Sequence, residues 1–223
     1  MTSEKIKFLI IRTIGNFLVL TSILGMIATF GPALTNEGVY RLNRLRGIVY
    51  ILAGDKAPQV KRGFFADLLG SPTPEILTPV DTNFAIVIPK IAANVRIIPN
   101  VNTSNYNEYM QALSLGVAHA KGTVFPGMKG NIFLFAHSTD NFWNVGRYNA
   151  VFYLLKELEN GDEVNIFFGG KRFVYKVYDK KIVEANEINY LTPQAQGQTL
   201  TLQTCWPPGT TLKRLLVFAS PAE

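Results

Sequence analysis

The sequence predicts a mainly β domain, either a barrel or a sandwich, preceded by one transmembrane helix. Three observations carry this prediction. An uncharged, largely apolar stretch occupies residues 13–36, short apolar and β-branched runs fill the chain after residue 81, and a Gly-Gly pair at 169–170 joins two of these runs as in a hairpin. With 223 residues and 48% hydrophobic side chains, the chain can also form one sizeable core.

The uncharged stretch is long enough to be a membrane anchor. No charged residue lies between Arg12 and Glu37, and a helix of this length spans the roughly 30 Å of bilayer hydrocarbon. A cleaved signal peptide would have a shorter apolar region and a small-x-small cleavage site, and a buried helix is the other alternative. The sequence favours a retained anchor. Basic residues lie on both sides of the stretch, so charge alone says little about its orientation.

Two segments separate this anchor from the β domain. Residues 38–53 place apolar side chains at helical spacing opposite arginines, which predicts an interfacial helix, with a core helix as the alternative. Four prolines within residues 54–80 indicate a linker or a surface loop. We therefore expect a terminus and anchor in 1–37, a juxtamembrane helix with a Pro-rich linker or lid in 38–80, and the β domain in 81–223.

Seven short runs predict the strands of the β domain, which we expect to be mainly antiparallel. The runs are 84–88, 95–98, 131–136, 164–168, 172–177, 199–204 and 214–218. Helical interruptions are predicted at 107–116 and at 149–162.

Charge and cysteine content narrow the classes of function. The formal net charge is +6, but the 22 Lys and Arg are scattered without a basic stripe, which argues against nucleic-acid binding. A single cysteine forms no intramolecular disulfide. Because the sequence contains no CxxC or HExxH motif, it predicts no zinc site.

The sequence contains one thiol and two imidazoles for nucleophilic catalysis: Cys205, His137 and His119. His137 follows the run 131–136 and Cys205 follows the run 199–204, so two strands ending at one rim would bring thiol and imidazole together. Arg214 begins the next run, and an antiparallel strand there would place its guanidinium near the thiol. Residue types alone favour a buried structural cysteine and a surface histidine over a catalytic pair.

Three segments of the sequence resemble the sortases, the membrane-anchored cysteine transpeptidases of bacterial surfaces. "TLQTC" at 201–205 is similar to their T-L-x-T-C element, and Arg214 lies where a family arginine follows that cysteine. "GVAHAKGTVFPGMKGNIFLFAHS" at 116–138 resembles the stretch that leads to the catalytic histidine, and "FYLLKELENGDEV" at 152–164 resembles the segment after it. The resemblance covers roughly residues 80–219 in the family's order.

This resemblance implies a closed β-barrel of about eight strands with short helices. It implies that Cys205 attacks an L-P-x-T-G-like sorting signal to give a thioester, that His137 acts as general acid and then base, and that Arg214 stabilises the oxyanion. The partners would be secreted proteins bearing the signal, an amine acceptor and membrane lipid. No cofactor is implied, and calcium dependence stays open. The N-terminus would be cytoplasmic and the barrel extracellular.

Several details of the resemblance leave alternatives. Ala136 stands where many sortases have Gly, His119 matches a non-catalytic position and is interpreted as structural, and Thr204 either helps to form the oxyanion site or faces out of the barrel. "TCWPPGTTLKRLLV" resembles the pilin-polymerising branch, but segment 54–80 lacks that branch's Asp-Pro-aromatic element. Cell-wall anchoring and pilin polymerisation therefore both remain open. A membrane-tethered scaffold without turnover is the alternative function.

Overall fold

A long N-terminal helix and a closed β-barrel make up the described part of the chain. The structure is a computed structural model and describes residues 2–55, 74–138, 151–191 and 197–222. Most of the Pro-rich segment 54–80, predicted as a linker or lid, lies outside these residues.

Helix α1 spans Ser3–Leu45 and contains the predicted anchor. Its portion Ser3–Ala28 is long and apolar enough to cross a membrane, and none of it is buried against the protein. The hydroxyls of Thr13, Thr21 and Ser22 donate hydrogen bonds to main-chain carbonyls one turn earlier, at 2.7–2.8 Å. These polar groups are therefore satisfied within the helix, as an apolar surrounding requires.

The prediction of a helix over residues 38–53 is wrong for its last residues. Helix α1 ends at Leu45, and Gly47 adopts a left-handed φ of 69°. The Gly47 amide donates to the Arg44 carbonyl and the Ile48 amide to the Asn43 carbonyl, which is the Schellman pattern of helix termination. The chain then enters a strand at Tyr50, so a glycine stops a helix that the apolar spacing alone would continue.

Eight strands close into a barrel, which confirms the predicted barrel and excludes the sandwich. They are β3 (Phe84–Ile88), β4 (Ala93–Val101), β5 (Val117–Ala120), β6 (Gly130–Phe135), β7 (Glu163–Phe168), β8 (Lys171–Glu184), β9 (Gln198–Trp206) and β10 (Lys213–Pro221). Their order is β10-β8-β7-β3-β4-β5-β6-β9, and only the pairs β4–β5 and β6–β9 are parallel. Strands β1 (Tyr50–Leu52) and β2 (Glu75–Leu77) form a separate parallel pair.

One helical interruption is confirmed and the other is corrected. Helix α2 spans Tyr106–Leu115, close to the predicted range 107–116. Within the predicted range 149–162, the described residues form only a 3₁₀ helix, Tyr153–Glu157. The apolar side chains of Phe152, Leu155 and Leu158 recur every third residue and are fully buried, and a 3₁₀ helix aligns that spacing on one face. Shorter 3₁₀ helices span Pro89–Ile91 and Asn189–Leu191.

Side chains of the strands divide between two apolar clusters because successive residues of a strand point to opposite faces. The inner cluster fills the barrel and includes Ile132, Leu134, Leu200, Leu202, Leu215 and Val217. The outer cluster lies beneath α2 and consists of Val101, Ala112, Leu113, Ala118, Ala120, Phe133, Phe135, Val183 and Leu216. Each fully buried large apolar side chain stabilises the fold by about 1.5–3 kcal/mol.

Ion pairs tie the segment after the apolar part of α1 to the barrel. The Glu37 carboxylate accepts hydrogen bonds from Lys156 at 2.7 Å and from Arg41 at 2.8 Å. The Arg172 guanidinium donates two bonds to Asp55, at 2.6 and 2.7 Å, and a third to Asn165 at 2.9 Å. Since Lys156 and Arg172 belong to the barrel domain, these pairs hold both ends of the juxtamembrane segment against it.

The Asp55–Arg172 pair should give the stability a measurable pH dependence. The Arg172 hydrogen bonds hold the pKa of Asp55 below its usual range, so the pair stabilises the fold above the unfolded-state value of about 3.9 and loses this effect as the pH falls through the folded-state pKa. Asp55→Asn should lower the free energy of unfolding at pH 7 by up to about 1 kcal/mol, since both side chains are partly exposed. Urea unfolding from pH 7 to pH 2 should show this gap narrowing.

Asp179→Asn serves as the matched control for that series. Its carboxylate is 43% exposed and lies 3.4 Å from the Lys181 ammonium, so we expect a smaller effect at pH 7. A gap between the wild type and Asp55→Asn that widens towards low pH would contradict the assigned role of Asp55.

Candidate active site

The three predicted site residues lie at one rim of the barrel, on neighbouring strands. Strands β6 and β9 are parallel, with Phe135 paired to Gln203, so both run to the same rim. His137 follows β6 by two residues, and Cys205 follows Gln203 by two. Strand β10 is antiparallel to β9, and Arg214 is the direct partner of Cys205. The structure therefore brings together the thiol strand, the arginine strand and the end of the histidine strand.

Side-chain alternation places this row of residues on the outer face of the barrel. The nearest barrel-filling residues are Ala136 before His137, Leu202 in the cysteine strand, and Leu215 after Arg214. Cys205 is an odd number of residues from Leu202, and the other two are each one residue from an inward-facing neighbour. The row continues an outer row formed by Phe135, Gln203 and Leu216, of which Phe135 and Leu216 belong to the outer cluster. A peptide could therefore reach the thiol from outside the barrel.

Main-chain and side-chain bonds fix the histidine strand to the cysteine strand beside the site. The Ala136 amide donates to the Gln203 carbonyl at 3.2 Å, and the Thr204 hydroxyl donates to the Ala136 carbonyl at 3.0 Å. Thr204 pairs with Leu215 of the inner cluster and is only 3% exposed, so the interpretation that it faces out of the barrel is wrong. Its hydroxyl proton is engaged by Ala136, and its observed role is to hold the backbone just before His137.

One nitrogen of the Arg214 guanidinium is anchored to main-chain carbonyls. Its Nη1 donates to the carbonyls of Thr211 and Lys213, each at 3.0 Å. Its Nε and Nη2 make no hydrogen bond to the residues that the structure describes. The Lys213 ammonium is held by Glu184 at 2.9 Å. Arg214 is thus a partly anchored cation on the strand position opposite Cys205.

Cys205 is half-buried and is the only thiol in the sequence. Its neighbour Trp206 packs against the inner cluster, which restrains the end of β9. A half-buried thiol is accessible enough to react. Its strand is flanked by the strand that leads to His137 and by the strand that carries Arg214. These are the components of nucleophilic acyl transfer: a thiol, a proton carrier and a cationic hydrogen-bond donor.

His119 lies in a different environment from His137. It is fully buried, and its Nδ1 accepts a hydrogen bond from the Asn100 amide at 3.3 Å. Its Nε2 therefore carries the proton and lies 3.1 Å from the Val124 carbonyl. Burial lowers the pKa of the His119 imidazole, and the bond to Val124 partly offsets this. A neutral histidine with both ring nitrogens bonded to the backbone supports the structural interpretation.

The structure adds Tyr109 to the rim, a residue that the sequence analysis did not single out. Its ring stacks on Phe135 with a centroid distance of 5.4 Å and an interplanar angle of 11°. The sequence predicted helix α2, but helical spacing cannot tell which strand a helix covers. No sequence signal distinguished Tyr109 from the exposed Tyr106 in the same helix.

No group of three or more potential metal ligands among His, Cys, Asp and Glu occurs within residues 2–55, 74–138, 151–191 and 197–222.

Comparison with known proteins identifies relatives of the barrel. A family model described as a sortase domain matches residues 86–222. Sortase D of Bacillus subtilis (strain 168) is 28% identical over 134 residues, which cover 59% of this chain and 59% of that protein. The aligned stretch thus spans less than two thirds of that relative.

Solved structures share the fold. Sortase C-1 from Actinomyces oris is 27% identical, with 65% of this chain and 74% of that chain covered and a TM-score of 0.52. Clostridium perfringens sortase C, solved with the C-terminal cell wall sorting motif, is 22% identical, with 86% and 89% covered and a TM-score of 0.53.

Thr204→Val should weaken the link between the two parallel strands. Valine keeps the shape but loses the hydroxyl, which leaves the Ala136 carbonyl without that donor. We expect a loss of about 1–3 kcal/mol in the free energy of unfolding, measured by urea denaturation. The exposed Thr211→Val is the control and should change stability by less than about 0.5 kcal/mol. Equal effects of the two substitutions would show that the Thr204 hydroxyl does not hold the strands.

Proposed function

The chain belongs to the sortase family, and we propose that it is a transpeptidase that cleaves a C-terminal L-P-x-T-G-like sorting signal and transfers the acyl group to an amine. The observation that carries this proposal is the direct pairing of Cys205 with Arg214, one strand away from the end of the strand that leads to His137. A structural cysteine needs neither a paired arginine nor a histidine on the adjacent parallel strand.

In the first half of the proposed reaction, Cys205 acts as nucleophile. Its thiolate sulfur attacks the carbonyl carbon of the signal's threonine, and the C–N bond of the tetrahedral intermediate then breaks. His137 donates a proton to the departing amine, and the acyl group stays on sulfur as a thioester. Because the chain has no second cysteine, the acyl group has only one thiol on which to reside.

In the second half, an amine of the acceptor attacks the thioester carbon. His137 accepts a proton from that amine, the C–S bond breaks, and the thiolate of Cys205 is regenerated. Arg214 lies on the strand paired with the cysteine strand, directly opposite Cys205, and in this proposal its guanidinium stabilises the oxyanion in both halves. The anchored Nη1 supports this role, since a donor already held in place loses little entropy when charge develops.

The location of the domain follows from the proposed chemistry. Sorting signals and amine acceptors lie outside the cytoplasmic membrane, so helix α1 would cross it with its N-terminus in the cytoplasm and the barrel outside. The apolar, unburied portion Ser3–Ala28 supports a membrane anchor of this kind. The acceptor would be a cell-wall peptide or a pilin lysine, corresponding to surface anchoring or to pilus polymerisation.

Cys205→Ala should abolish acyl-enzyme formation. Wild-type protein mixed with a sorting-signal peptide is expected to gain the mass of the acyl fragment, and hydroxylamine should release it because thioesters react with that amine. The variant should show no such adduct while unfolding at the same urea concentration. If the wild type forms no adduct with any tested signal, the non-catalytic scaffold is favoured.

Arg214→Lys should lower turnover although it keeps the positive charge. Lysine lacks the planar guanidinium, in which Nη1 donates to two carbonyls while the other two nitrogens can donate to an oxyanion. We expect kcat/KM for peptide cleavage to fall by about 10²-fold or more, as for loss of an oxyanion donor. The control is Arg96→Lys, since Arg96 is 65% exposed and pairs with Asp81 at 3.4 Å. Undiminished turnover in Arg214→Lys would remove Arg214 from the mechanism.

A further inference from the structure

Helix α2 holds Tyr109 in a fixed position beside the proposed site. The Asn105 side chain caps the helix by accepting a bond from the Glu108 amide at 3.3 Å, and the Glu108 carboxylate accepts a bond from the Asn102 amide at 2.8 Å. Tyr109 itself donates from its amide to the Asn105 carbonyl at 2.9 Å. The first turn of the helix is thus fixed at both its backbone and its side chains.

Packing fixes the ring as well as the backbone. Ala112 and Leu113, one turn further along α2, are buried in the outer cluster. The Tyr109 ring stacks on Phe135, which pairs with Gln203 in the cysteine strand. The row of Cys205 and Arg214 comes next along the same outer face. Tyr109 therefore forms a wall beside the nucleophile that is restrained before any ligand binds.

The hydroxyl of Tyr109 lies within electrostatic range of the nucleophile. Burial raises the pKa of the Tyr109 phenol, Cys205 raises it further, and Arg214 partly offsets the two effects. The hydroxyl therefore stays protonated at neutral pH and can donate a hydrogen bond. Among the residues that the structure describes, it has no hydrogen-bond partner.

Other charged groups near α2 are engaged elsewhere. On β5, His119 bonds to Asn100 and Val124, and on β4, Arg96 pairs with Asp81. Tyr106 of the same helix is 72% exposed.

A protonated donor held rigidly near a thiol is complementary to an acceptor on the group that the thiol binds. In a peptide these acceptors are backbone carbonyl oxygens.

On the basis of the proposed acyl transfer, we propose that Tyr109 is a substrate-binding residue whose hydroxyl donates a hydrogen bond to a backbone carbonyl of the peptide held at Cys205. The ring supplies the rigid wall, and the hydroxyl fixes the acyl group against it. Tyr109→Phe removes the donor and keeps the ring that stacks on Phe135, so this variant tests the hydroxyl without opening the outer cluster.

The test compares two reagents on the single cysteine of the full-length protein. A peptide chloromethyl ketone, Leu-Pro-Ala-Thr-CH₂Cl, alkylates the sulfur, which displaces chloride from the CH₂ carbon, and it presents backbone carbonyls to the wall. Methyl methanethiosulfonate forms a mixed disulfide with loss of methanesulfinate and presents no peptide group. Both rates are measured by intact-mass spectrometry. Their ratio separates the contribution of peptide binding from that of thiol reactivity.

Tyr109→Phe should lower this ratio by about two- to tenfold, the effect of one hydrogen bond, with the thiosulfonate rate unchanged. Tyr106→Phe, the matched control on the exposed side of the same helix, should leave both rates unchanged. An unchanged ratio in Tyr109→Phe would overturn the inference. So would an equal fall in both rates, because Tyr109 would then act on the thiol or the fold.

A ketone of scrambled sequence separates this inference from the proposed function. If wild-type protein reacts equally with the signal and the scrambled ketones, the sorting-signal specificity fails. A lower ratio in Tyr109→Phe with both ketones would still support Tyr109 as a contact to peptide backbone. An unaltered ratio together with a strong preference for the signal would reject Tyr109 alone and leave the transpeptidase proposal standing.

Discussion

The parallel pairing of β6 with β9 determines where every residue of the site lies. Two strands that run in the same direction end at the same rim, so His137 and Cys205 leave the barrel together. The antiparallel return of β10 then places Arg214 opposite Cys205. A shift of one residue in either register would turn a site side chain into the barrel, because strand side chains alternate between faces. The bond from Thr204 to Ala136 opposes such a shift beside the site.

Because side chains alternate between faces, strands β6, β9 and β10 contribute both to the core and to the site. Their inward residues fill the barrel, and their outward residues form first an apolar row and then the polar row of the rim. Helix α2 packs on the apolar row through Tyr109, whose ring stacks on Phe135. The thiol is therefore half-buried beside a packed cluster, where water competes less for hydrogen bonds than it does on an open surface.

Residues 37–55 are part of the folded unit. Glu37 pairs with Lys156, which lies in the 3₁₀ helix of the barrel domain, and Asp55 pairs with Arg172 on β8. The Lys156 bond is the main cause of a lowered pKa of Glu37, so this pair is ionised throughout the neutral range. In the proposed arrangement, these contacts fix the distance between the bilayer and the rim, and membrane attachment would bear on which part of a secreted protein reaches Cys205.

Local sequence patterns determined which segments of this protein form its long helix and most of its strands. Apolar length predicted the anchor, β-branched runs predicted seven of the strands, and the order of three motifs indicated the family and the residues Cys205, His137 and Arg214. Strand periodicity left barrel and sandwich open, and it was the resemblance that implied the barrel that the structure shows. Only the tertiary structure showed that α1 ends before Gly47, that Thr204 faces inward and that Tyr109 lies on Phe135. The reason is physical: periodicity depends on neighbours within a few residues, whereas strand pairing and helix docking depend on contacts between segments far apart in the chain.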